Sequence, residues 1–143
     1  MWTRELGIKV KFKSVETKAF RALKRQYHDF DVGRAGWYGD YTDPVTWLDL
    51  FHSNDGNNDG QYSNPDYDKL LDSAAKEPNP ARRFAILKQA EAILVEKDLP
   101  LLPLYQYSDG YMFDPAKIAG MDLNVRLLTQ FKFIRRLKPG EKP

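Results

Sequence analysis

The chain has 143 residues, near the length of one domain, and 42% of them are hydrophobic, enough to bury a core. Its net charge of +2 comes from 22 basic and 20 acidic residues. That balance leaves no basic stripe for nucleic acid, and no apolar run approaches the roughly 18 residues of a membrane span. There is no cysteine, so a disulfide framework and a thiolate metal site are both excluded.

Met1 to Gly7 reads as the last turns of a helix closed by a glycine C-cap, with its beginning missing and no signal peptide. Ile8, Val10 and Phe12 alternate with Lys9, Lys11 and Lys13, which predicts a half-exposed strand. Thr17 is placed to N-cap a short helix carrying Ala19, Phe20, Ala22 and Leu23 and ending near Tyr27 and His28. Phe30 and Val32 begin a second strand that runs into a glycine-rich segment.

Asp43-Pro44 has the form of a helix start, an acidic cap followed by proline, and Trp47, Leu48, Leu50 and Phe51 supply its apolar stripe. Ser53 to Gln61 is polar and reads as a loop. Asn64-Pro65 opens a helix holding Tyr67, Leu70, Leu71 and Ala74. Asn79-Pro80 opens the longest helix, with Phe84, Leu87, Ala90, Ile93 and Leu94 on one face. Leu101 to Tyr107 and Tyr111 to Phe113 read as strands, then an irregular stretch reaches Asn124, and Gln130 to Arg136 is a last strand. The basic excess near the end (Arg126, Lys132, Arg135, Arg136, Lys138) reads as the solvated face of that edge strand, not as a nucleic-acid patch. Alternating strands and helices argue for an α/β lobe.

The segment Phe30 to Pro44 (FDVGRAGWYGDYTDP) is poor material for a core strand. If it runs extended, side chains alternate with period two, and Arg34, Gly36, Tyr38 and Asp40 share one face. The cation and the anion then stand about 20 Å apart, with bare glycine backbone and an aromatic between them. A short peptide zwitterion complements such a face. Trp37 has the opposite parity and either packs into the lobe or lines a side-chain pocket. Gly36 and Gly39 leave room for a ligand backbone to pair as an added strand.

This pattern, Phe-Asp-x-x-Arg-x-Gly-Trp-x-x-Asp-Tyr-x-Asp-Pro, resembles the signature region of the extracytoplasmic oligopeptide- and dipeptide-binding proteins of ABC importers. Tyr62 to Leu71 is similar to that family's loop and helix, Ala81 to Asp98 to its long amphipathic helix, and Leu99 to Tyr105 to the strand leading toward the hinge. The resemblance runs from Trp2 to about Leu137. It implies the C-terminal part of a periplasmic-binding-protein-like (type II) lobe. Residues 1–106 then form a partial ligand-binding lobe, and residues 107–143 form a hinge crossing and a tail whose terminal strand returns to the other lobe. Without that lobe the terminal strand is expected to be disordered, packed differently or paired with another chain.

The resemblance assigns Asp40 to the ligand's α-ammonium and Arg34 to a peptide carboxylate for some ligand lengths, with Gly36, Trp37 and Tyr38 as further ligand-binding positions. From the residues alone, the competing role for Asp40 is to cap the turn before Tyr41 or the next helix, for which Asp43 is better placed, and that for Arg34 is an ion pair with Asp29 or Asp31. The implied partners are a peptide, the ABC permease subunits and the remainder of the binding protein, in the periplasm or another extracytoplasmic space. No cofactor, nucleic acid or membrane span is implied.

A competing pattern begins at Asp55. Asp55, Asn57 and Asp59 with Gly60 fit positions one, three, five and six of a calcium loop, whose twelfth position is Asp66. Asp66 is shorter than the usual glutamate there, and Pro65 precedes it. The alternative function is therefore a truncated structural remnant with an EF-hand-like calcium loop and no transport role. Catalysis has little to stand on. His28 and His52 are the only histidines, and no nucleophile elbow or phosphate-cradling loop is present.

Overall fold

Asparagine followed by proline is a strong helix start, because the amide caps free N–H groups while proline lacks the donor that would go unpaired. Both such dipeptides open the long helices of this chain. In the computed structural model, which describes residues 1–27, 30–121, 124, 126 and 128–142, helix α4 (Pro65–Lys76) begins at Asn64. The Asn64 side chain accepts from the backbone N–H of Asp66 and Tyr67. Helix α5 (Pro80–Ala92) begins at Asn79, which accepts from the Arg82 N–H, and a π-helical turn extends it over Ile93–Asp98.

The chain divides into two units, Met1–Arg34 and Ala35–Pro143. The first holds α1 (Trp2–Leu6) and α2 (Thr17–Ala22), the latter continued by a π-helical turn to Tyr27. Gly7 ends α1 in the left-handed conformation at φ 68°, as its composition predicts. The cap of α2 is Glu16 and not Thr17: its carboxylate accepts from the Lys18 and Ala19 N–H groups. The predicted end of this helix at His28 lies outside the described residues.

The second unit contains the core. On α4, Tyr67, Leu71 and Ala74 are buried, and on α5 and its extension Leu87, Ala90 and Leu94 are. These are the three- and four-residue spacings of one helix face. Ala74 and Ala90 have no exposed surface; such small side chains let helix backbones approach closely. The short helix α3 (Val45–Leu48), extended by a 3-10 turn over Asp49–Phe51, completes the cluster through Leu48. The fully buried Tyr67 hydroxyl donates to the Leu48 carbonyl at 2.7 Å, and burial pushes its pKa up. Phe84, expected on the apolar face of α5, is instead exposed, and Ile86, two residues on, packs on the core.

The predicted strands form only in part. Ile8–Lys13, Phe30–Val32, Leu101–Tyr107 and Tyr111–Phe113 have no ladder among the described residues. Alternation records which side chains share a face, but a strand also requires a neighbour to receive its hydrogen bonds. Phe12 at 95% exposure and Leu104 at 80% have no packed layer over them. Among the described residues the one sheet is a short antiparallel pair of β1 (Ile118–Ala119) with β2 (Arg135–Arg136). The expected strand from Gln130 is thus a 3-10 turn at Phe131–Phe133 followed by β2, which pairs within this chain. Gly120 explains the close approach: a Cβ there would stand 2.0 Å from the Phe133 carbonyl oxygen.

Truncating the α4–α5 seam tests this core. Leu87→Ala is expected to cost about 2–5 kcal/mol in urea denaturation, whereas Phe84→Ala on the exposed side should change stability by less than about 1 kcal/mol.

Candidate functional site

The glycine-rich segment is held from behind by α3. Thr46 is buried, and its hydroxyl oxygen accepts the backbone N–H of Asp40 at 3.0 Å. Trp47 lies against Gly39 so closely that an added Cβ would stand 2.8 Å from the ring. Glycine is required there by contact with a neighbour. The peptide unit joining Gly39 to Asp40 is therefore gripped at two points, while Asp40 itself is exposed. Among the described residues its carboxylate has no ion-pair partner.

A helix of four residues cannot hold its own geometry, so α3 depends on Asp43. One Asp43 oxygen accepts the Val45 N–H at 2.9 Å, and the Asp43 carbonyl accepts the Thr46 N–H. The same carboxylate takes both arms of the Arg83 guanidinium, at 2.7 and 2.9 Å. This fork-to-fork pair ties the start of α3 to α5. Arg83 holds the Asp43 carboxyl below its ordinary range, and Asp43 in turn raises Arg83. Beside them, burial and then the nearby Asp49, Asp43 and Asp40 charges push the Tyr41 phenol up.

Tyr38 stacks on Tyr107 with ring centroids 5.6 Å apart, and Tyr105 meets Tyr107 edge-on at 5.1 Å. Gly36 faces the Tyr107 ring, at 3.7 Å from a Cβ built there. Trp37 is 36% and Tyr38 51% exposed. The structure thus brings Gly36 and Tyr38 to one aromatic surface, with Trp37 exposed and not packed into a core. Arg34 is an exposed residue that closes the first unit; of its two possible acidic partners, Asp29 lies outside the described residues. Thr46, Arg83 and Tyr107 were not foreseen as site residues. Arg83 and Tyr107 stand far from the segment in sequence, and a threonine near the start of a short helix carries no signal of its own.

The polar loop after α3 is closed on itself. Asn58 imitates a backbone unit: its amide donates to the carbonyls of His52 and Tyr62 and accepts the Tyr62 N–H. Asp55 accepts the Asn57 N–H at 2.7 Å. Asp66 sits in the first turn of α4, where it pairs with Lys69. Among the described residues no group of three or more His, Cys, Asp or Glu gathers so as to hold a metal ion. The Tyr62 hydroxyl and the Asn64 amide both donate to Asp98 at the end of α5. Burial, followed by that bond to Asp98, pushes Tyr62 up to about 12.

No protein-family model matches the chain. The oligopeptide-binding protein OppA of Bacillus subtilis is 36% identical over 115 residues, which are 80% of this chain and 21% of that protein. The periplasmic murein peptide-binding protein MppA of Escherichia coli is 40% identical over 115 residues, with the same shares of each chain. The solved structure of the E. coli murein tripeptide binding protein MppA matches with a TM-score of 0.81 at 33% identity, covering 96% of this chain and 26% of that one. The chain belongs to the oligopeptide-binding protein family.

It spans 21% of the length of those curated relatives and corresponds to the C-terminal portion of the family. The expected fold class holds with it: a mixed helix and strand fragment of the type II fold that periplasmic peptide-binding proteins share. Among the described residues no helix is long and apolar enough to cross a membrane. Within this family segment, the tie from Asp43 to Arg83 responds to pH. A depressed carboxyl pKa contributes stability that is present above the unfolded value of about 3.9 and is lost as pH falls through the folded value. Arg83→Ala is expected to cost about 1–3 kcal/mol at neutral pH. Urea denaturation repeated toward about pH 3 should show the variant losing less further stability than the parent.

Proposed function

We propose that this chain supplies one wall of a cleft that captures peptides for delivery to an ABC importer. The observation that carries the reading is the exposed Asp40 carboxylate on a backbone gripped from behind by Thr46 and Trp47. A carboxylate in that setting suits an α-ammonium, a group that every unmodified linear peptide presents. A charge-assisted bond of this kind contributes about 1.5–3 kcal/mol. Arg34 takes a peptide carboxylate for ligands of suitable length. Gly36 lets the ligand main chain come close, and Trp37 and Tyr38 receive its side chains. Recognition through the main chain tolerates many sequences.

In this reading residues 1–106 contribute to one lobe, and residues 107–143 cross the hinge and return to the other. The permease subunits recognise the closed form, in a periplasmic or other extracytoplasmic space. The chain acts as a receptor and not as an enzyme. Its relatives bear names of binding proteins, and its sequence holds no nucleophile elbow or phosphate-cradling loop. Calorimetry with trialanine tests the assignment. Asp40→Ala is expected to weaken binding about tenfold or more, and an unchanged affinity overturns the role of Asp40.

A further inference from the structure

The Asp40 carboxylate is only as well aimed as its backbone, and that backbone is held by a side chain with no access to ligand. Thr46 is 5% exposed. Its hydroxyl oxygen accepts the Asp40 N–H at 3.0 Å, so it fixes the nitrogen one bond away from the Cα that carries the carboxylate side chain. Trp47, the next residue, closes over Gly39. Neither grip works unless α3 is itself fixed, and Asp43 fixes it by capping Val45 and by taking the Arg83 fork. The order of dependence runs from the α5 surface through Arg83 and Asp43 to Thr46, and from Thr46 to Asp40.

We propose that Thr46 is a positioning residue for ammonium recognition, held in register by the Asp43–Arg83 pair; this rests on the reading of Asp40 given above. A charged hydrogen bond weakens steeply when its geometry is lost, and a site that holds its groups in place before the ligand arrives binds more tightly than one that must order them. Removing the Thr46 acceptor therefore reduces the gain from a free amino terminus and leaves the other contacts intact. A merely structural role would weaken all ligands alike.

The test compares trialanine with N-acetyl-trialanine by calorimetry on the full chain, with folding of each variant checked by circular dichroism. Acetylation removes the ammonium and little else. The parent is expected to prefer the free amine by about tenfold or more. Thr46→Val, which keeps the shape but not the acceptor, should lose most of that preference while affinity for the acetylated peptide stays the same. Thr46→Ser should restore the preference. Arg83→Lys keeps the charge but loses the fork, and it is expected to reduce the preference by about twofold to fivefold. That variant carries the test if Thr46→Val does not fold.

Preference lost in Asp40→Asn but kept in Thr46→Val and Arg83→Lys overturns the positioning role alone. A parent that does not distinguish the two peptides, or an Asp40→Asn variant that still does, overturns the ammonium reading and the positioning role together.

Discussion

A bidentate ion pair between Asp43 and Arg83 is the constraint on which the geometry around Asp40 depends. Its two side chains retain 24% and 28% of their exposure, so the pair is partly withdrawn from water. Asp43 is also satisfied by the Val45 N–H. Its partial burial separates it from the exposed surface pairs. Asp66 and Lys69, for example, are 81% and 75% exposed, and a surface pair of that kind contributes about 0–1 kcal/mol. The guanidinium fork fixes distance and orientation together, which a point charge on lysine would not do. Through it a four-residue helix inherits the rigidity of the long helix whose other face is the core.

The core supports α3 from a second side. Tyr67 is fully buried, packs edge-on against Tyr62 at 5.6 Å and donates its hydroxyl to the Leu48 carbonyl. That bond satisfies an acceptor at the end of α3, where no further helical turn continues it in α geometry. Tyr62 and Asn64 then converge on Asp98, so the polar loop is fastened at its exit to the far end of α5. Asn58 closes the interior of the same loop by standing in for backbone on both sides. The short helix and the loop are thus both held by polar bonds to elements that the apolar seam fixes.

The aromatic surface has a different origin. Tyr38 and Tyr107 stack although 69 positions separate them, and Tyr105 adds an edge-on ring that also bonds the Tyr107 hydroxyl. Offset stacking of this kind adds about 0.5–1.5 kcal/mol beyond area burial. It gives the extended segment after Leu101 an anchor that no strand ladder supplies among the described residues.

Much of this chain was legible in its residues. The Asn-Pro dipeptides located α4 and α5, Gly7 closed α1, and helical spacing picked out Leu71, Ala74, Leu87, Ala90 and Leu94 as core, because capping and amphipathic periodicity act within a few residues of chain. Asp43 was also readable as the better capping residue. Strands were not legible in the same way: the alternation at Ile8–Lys13 is genuine, but pairing depends on a neighbour that local sequence does not name. The same holds for the site. By itself the sequence determined the glycines, aromatics and charges of the segment from Arg34 to Asp40, and its motif pointed to the family. Only the tertiary structure decided that Arg83 clamps Asp43, that Thr46 and Trp47 grip the backbone at Gly39 and Asp40, and that Tyr107 covers Tyr38. The Arg83 and Tyr107 contacts join residues far apart in the chain, and the grip of Thr46 and Trp47 on residues six and eight positions earlier depends on how the chain turns back at α3.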